Sequence, residues 1–169
     1  MAAKKVLRAV FDANIYIAAA LTKNPQSPTR ELIKMLKKRK FQLVWCRQIR
    51  EEVAEKLVEK SLSTARIAEF INAVDRWAQS IDIDSTDIIP VVIADPDDDV
   101  VVACAVKGNA THLVTYDPHF NLLGRTYRGI KIIDGLHFLY VVRGDKPKDK
   151  SSQKPSLTRL KREERRAKS

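Results

Sequence analysis

Four carboxylates crowd the segment Asp95-Pro96-Asp97-Asp98-Asp99, immediately before the apolar run Val100-Val101-Val102-Ala103-Cys104-Ala105. Asp95 suits a helix N-cap and Pro96 the first helical position, so the segment predicts a helix that opens in acid. Acids near a helix N-terminus are favoured by the macrodipole by about 0.3 to 1 kcal/mol each. A cap needs one or two acids, not four. At about 100° per residue, Asp98 shares a face with Val102 and Ala105, at the top of the buried stripe. Asp97 and Asp99 point about a quarter turn to either side and are assigned to the dipole and the turn. A carboxylate at the rim of a core is costly unless it is paired or coordinates a cation. Asp98 therefore requires partners from elsewhere in the chain.

Three further acids qualify. Asp12 stands directly after the apolar run Val6-Leu7-Arg8-Ala9-Val10-Phe11, and Asp117 follows Thr111-His112-Leu113-Val114-Thr115 in the same way. Both runs have strand length. Glu52 lies in a helical stretch from about Gln48 to Lys60 whose core stripe is Ile49, Val53 and Leu57. It sits about 100° from the centre of that stripe, close enough to reach over the core edge, whereas Glu51 and Glu55 are about 160° away and read as solvated. Carboxylates gathered in one crevice repel one another and do not all ionise unless a cation neutralises them. Hard oxygen ligands in that number suit magnesium or manganese. On a chain with a net charge of +10, such an ion suggests phosphodiester hydrolysis, with metal-activated water attacking in line.

The elements that must position these acids alternate between strand and helix. Phe41 to Cys46 and Ile130 to Ile133 read as further strands. Thr29 to Lys40, Ser63 to Trp77 and the stretch from Asp95 to about Lys107 read as helices, with Gly135 to Val142 as a last helix or turn. Ile81 to Ile93 reads as an extended connection. Alternation of this kind argues for a parallel sheet covered by helices on both faces. In such sheets ligands bind outside the carboxyl ends of the strands, where the strand order reverses. If the strands of Asp12 and Asp117 are neighbours, Asp12, Asp98 and Asp117 converge there.

Bulk properties fit one domain with a tail. The 169 residues are enough to bury a substantial core. No run approaches the roughly eighteen apolar residues of a membrane span, and the N-terminus carries no signal-like pattern, so a soluble, cytoplasmic protein is expected. Cys46 and Cys104 have neither zinc-site nor disulfide spacing and read as small buried hydrophobes. Residues 145–169 hold ten Lys and Arg against four acids, more than half of the net charge of +10. A basic tail of this kind attracts polyanions, nucleic acid above all, with a merely solubilising role as the alternative. The expected organisation is a nuclease domain over 1–143 and a basic, flexible tail over 144–169, in which Lys154, Arg159, Lys161, Arg162, Arg165 and Arg166 are candidate nucleic-acid contacts. His112, His119 and His137 are scattered and read as surface or packing residues. Trp45 and Trp77 read as core.

Several motifs stand in one order over Val6 to Leu139: Asp12-Ala13-Asn14; Ser27-Pro28 before a helix with Glu31-Leu32-Ile33; Glu52-Val53-Ala54-Glu55-Lys56-Leu57; the acids from Asp95 to Asp99; and Leu113-Val114-Thr115-Tyr116-Asp117. Together they resemble the PIN-domain ribonucleases, and within them the VapC-like toxin components of toxin-antitoxin pairs. The resemblance implies a three-layer α/β sandwich with a central parallel sheet of about five strands. It implies Mg2+- or Mn2+-dependent cleavage of RNA by the quartet Asp12, Glu52, Asp98 and Asp117. Asn14 and Thr115 match positions beside the metal that orient a carboxylate or water. A small antitoxin partner and a homodimer are implied as well. The chain departs from the pattern at Ala13, where Thr or Ser is common, at Tyr116, in a variable slot, and in the basic extension.

Two other readings compete. One is a catalytically inactive RNA-binding or protein-interaction module acting through its basic tail. The other is a phospho-acceptor with Asp12 as nucleophile, of the haloacid dehalogenase or receiver type, which also needs a positioned lysine that no strand end supplies.

Overall fold

A computed structural model describes residues 6–92 and 96–145. The first apolar run forms β1 (Arg8–Phe11), and the chain turns at once into α1 (Ala13–Leu21), leaving Asp12 as the single residue between them and the cap of the helix. α2 (Pro28–Lys37) begins where Ser27 accepts from the Arg30 N–H and Pro28 takes the first turn. β2 (Gln42–Cys46) leads into α3 (Arg47–Glu59), and α4 (Thr64–Trp77) is capped by Ser63, as its sequence predicts. There follow β3 (Ala78–Ile81), α5 (Pro96–Lys107) and β4 (His112–Val114). A short 3-10 helix (Pro118–Leu123), β5 (Thr126–Tyr127), β6 (Ile130–Ile133) and α6 (Gly135–Arg143) complete the described chain.

The strands form one six-stranded sheet in the order β3-β2-β1-β4-β6-β5. All pairings are parallel except that of β5 with β6. The expected sheet of about five strands is thus present, with its differences at the edges. β3 precedes and overlaps by one residue the stretch read as an extended connection, and β5 is a two-residue strand joined to β6 by a tight turn at Arg128 and Gly129, both at positive φ. From β1 the chain builds outward to β2 and β3, then crosses back to lay β4 on the other side of β1. The order therefore reverses between β1 and β4, where a crevice opens at the carboxyl ends.

Helices cover both faces, as the alternation predicts. Successive side chains of a strand point to opposite faces, and β2 makes this visible. Trp45 packs on Tyr16 of α1, with ring centroids 5.5 Å apart, whereas its neighbour Cys46 meets Cys104 of α5. Phe11 joins the first face, 5.6 Å from Tyr16 and 6.0 Å from Phe138 of α6. α5 packs over β1, β2 and β4. Its C-terminus presses on the sheet at Gly108, where a side-chain carbon would stand 2.8 Å from Val44 and from the Cys104 carbonyl. Trp45 and both cysteines are fully buried and Trp77 is half-buried, in keeping with their reading as core.

Candidate functional site

Asp12 is placed by the abrupt strand-to-helix junction. Its backbone N–H still donates to Val114 of β4, at 2.9 Å, while its carboxylate already caps α1. One carboxylate oxygen accepts from the Ala13 N–H at 2.8 Å and the other from the Thr115 hydroxyl at 3.0 Å. Thr115 in turn accepts from the Asp117 N–H at 2.9 Å. The two strand-end acids are therefore tied to one hydroxyl. Pairing of β1 with β4, Phe11 opposite Val114, is what makes this short relay possible.

Asp98 enters from the first turn of α5 and is 5% exposed. It does not meet Asp117 alone. Asp117 caps the 3-10 helix and accepts from the His119 N–H at 2.9 Å, and this turn folds the imidazole back over the acids. His119 Nδ1 lies 3.3 Å from Asp117 Oδ1 and 3.4 Å from Asp98 Oδ2. The donor atoms of Asp98, Asp117 and His119 all fall within 4.8 Å of one another. Assigning His119 to surface or packing is therefore corrected: it is half exposed, yet its ring nitrogen belongs to the acid cluster. The signal available in the sequence was Asp117-Pro118, an acid before a proline that starts a helical turn and sets the second residue along on the acid's side.

Glu52 is half-buried on α3 and pairs with Lys56, one turn on, at 3.1 Å. Lys56 also donates to Asn14 Oδ1 at 3.3 Å. Asn14 therefore faces the lysine, and through it Glu52. Lys56 itself had a sequence signal in its i,i+4 spacing from Glu52. The other two acids of α5 divide. Asp97 is exposed and lines a small cleft of about 160 Å³ with Gln48, Glu51, Glu52 and Glu55. Asp99 is buried and accepts from the Val91 and Val92 N–H groups at 2.9 and 2.6 Å, which fixes the segment leading to α5. Asp95 and the six tail residues Lys154, Arg159, Lys161, Arg162, Arg165 and Arg166 lie outside the described residues.

Electrostatics set the character of the crevice. Burial raises the Asp12 carboxyl above its ordinary value, opposed by the Thr115 and Ala13 hydrogen bonds and by Lys56, and reinforced by the charge of Asp117. Burial likewise raises Glu52, opposed by Lys56 and reinforced by Asp12 and Asp97. Asp12 thus lies within electrostatic reach of both Asp117 and Glu52. Three helical N-termini, those of α1, α5 and the 3-10 helix, offset part of their repulsion. Carboxylates crowded this way favour a cation among them. A donor set of hard carboxylate oxygens with one imidazole suits Mg2+ or Mn2+, so the residues present fit such an ion.

No helix among the described residues is long and apolar enough to cross a membrane. A family model described as PIN domain matches residues 8–119. No curated protein matches the chain significantly. Among solved structures, the fold is similar to VapBC2 from Rickettsia felis bound to a DNA fragment from their promoter, with a TM-score of 0.55 and 13% identity over 76% of this chain and 98% of that one. It is similar also to PAE2754 from Pyrobaculum aerophilum, with a TM-score of 0.58 and 18% identity over 82% of this chain and 91% of the other. At these identities the likeness is one of fold.

Proposed function

The chain belongs to the PIN-domain family, and from that premise we propose that it is a divalent-cation-dependent endoribonuclease. The observation that carries the reading is the convergence of Asp98, Asp117 and His119, with Asp12 joined to Asp117 through the Thr115 hydroxyl, at the point where the strand order reverses. Asp12, Asp98 and Asp117 would hold Mg2+ or Mn2+, with Glu52 facing the same centre from α3. Bound there, the ion would supply Lewis-acid activation of a water and neutralise charge at the scissile phosphate. Thr115 fixes the rotamer of Asp12 and the backbone of Asp117. Asn14 and Lys56 hold Glu52 at the rim, and Lys56 offers a cation to the RNA backbone. His119 is a further donor on the open side of the Asp98 and Asp117 pair.

The motifs shared with VapC-like toxins and the likeness in fold to VapBC2 support the narrower role. In it the protein is the toxin of a toxin-antitoxin pair, inhibited by a small antitoxin, homodimeric and cytoplasmic. The domain is proposed to span 1–143, with the basic residues of 144–169 drawing RNA towards it.

The test is cleavage of RNA with Mg2+, with Mn2+ and with chelator. Cleavage is expected only with a cation, and Asp98→Asn is expected to lower it by about 100-fold or more. An Asp98→Asn protein that cuts as well as wild type would overturn the proposal.

A further inference from the structure

We propose that Tyr116 is a stacking platform for a nucleobase of single-stranded RNA, set beside the acid cluster; the proposal rests on the nuclease reading and specifies how that site holds its substrate. Tyr116 lies between Thr115 and Asp117, so its backbone is fixed by the site itself. The Thr115 N–H donates to Ile133 at 3.0 Å and the Asp117 N–H to the Thr115 hydroxyl at 2.9 Å. Thr115 is buried, yet Tyr116 leaves 47% of its surface in water. Among the described residues, Tyr116 and Tyr140 are the aromatic side chains with large exposure.

The ring is anchored rather than loose. Its hydroxyl lies against Gly135, the first residue of α6. A side-chain carbon at 135 would overlap that hydroxyl and stand 3.0 Å from the ring carbon that bears it. Absence of a side chain at Gly135 is thus what seats the tyrosine. α6 continues from this point with Leu136 and Tyr140 exposed one turn apart. A ring seated at its hydroxyl end, with about half of the residue in water, loses little freedom when a base lies on it.

The charge pattern favours a base as the occupant. Carboxylates repel an RNA strand until a cation is bound, whereas stacking on an aromatic face needs no ion and tolerates any base. Single-stranded RNA presents such unstacked bases, while a duplex withholds them. Tyr116 then positions the base of a nucleotide whose phosphate lies near Asp117.

The experiment uses the full chain and a single-stranded oligoribonucleotide carrying fluorescent aminopurine. In chelator, wild type is expected to quench the aminopurine. Tyr116→Leu should lose the quenching and weaken binding roughly tenfold, and Tyr116→Trp should keep both. Gly135→Ala, which displaces the ring without altering it, should behave as Tyr116→Leu. With Mn2+, the losses should fall on KM more than on kcat. A Tyr116→Leu protein that binds and quenches as wild type overturns the platform, as does a loss confined to kcat. Wild type that quenches through Tyr116 but cuts with neither cation supports the platform and removes the nuclease reading. Cleavage without any Tyr116-dependent quenching removes the platform alone.

Discussion

On the proposed reading Asp12 carries two burdens that pull in opposite directions, since its carboxylate would have to be ionised to hold a cation and is buried where ionisation is costly. Its raised value has a definite sign in stability. The folded state binds the proton more tightly than the unfolded chain, so in cation-free protein this group's contribution falls as pH rises from about 4, the ordinary value, through the raised one. Asp12→Asn is therefore expected to melt higher than wild type at neutral pH without cation and to lose that advantage near pH 4. Wild type should gain thermal stability on adding Mn2+ at neutral pH, and less as acid returns the proton; melts of both proteins across pH check this. Thr115 acts on the same carboxylate. Thr115→Val should lower cleavage by about 10- to 100-fold, with Thr115→Ser retaining most of it, as steady-state rates would reveal. Asp12, Asp98 and Asp117 were legible because each acid closes or opens an apolar run. His119 was not, since its position depends on how Asp117 turns the chain back on itself.

At the level of elements, the short junctions do the positioning. β1 and α1 are separated by Asp12 alone, and Thr115 lies one residue past β4. α5 is held from behind by Asp99, whose carboxylate satisfies two backbone donors of the preceding segment. Asp99→Ala leaves both donors without that acceptor and is expected to cost about 3 kcal/mol in chemical denaturation, whereas Asp99→Asn keeps an acceptor oxygen and should cost less. The same acid cluster thus holds a residue for the crevice and a residue for the loop, a division that the helical angle of Asp98 foreshadowed. The inner strands were readable as apolar runs. β3 was not, because an edge strand such as Ala78-Gln79-Ser80-Ile81 has its middle residues exposed and carries neither an apolar run nor a buried alternation. β5 was hidden for a related reason: its turn uses Arg128-Gly129 rather than the Asn-Gly pair that marks a two-residue hairpin.

At the scale of the whole molecule, an acidic crevice sits on a chain with a net charge of +10. On the proposed reading the two features divide the work between chemistry and attraction. Removing residues 146–169 is expected to weaken RNA binding and flatten its salt dependence while leaving cation-dependent cleavage in place. A filter-binding series against salt, run beside the cleavage assay, separates them. RNA affinity that survives chelation and vanishes with the tail, together with no cleavage in any cation, would favour the inactive binding module instead. Everything else in the account depends on residues distant in sequence sharing one ion. The most direct measurement is anomalous scattering from crystals soaked in Mn2+. A peak is expected within coordination distance, about 2.2 Å, of carboxylate oxygens of Asp98 and Asp117, with Asp12 facing it. Density absent from the crevice, or a peak held elsewhere on the molecule, would contradict it.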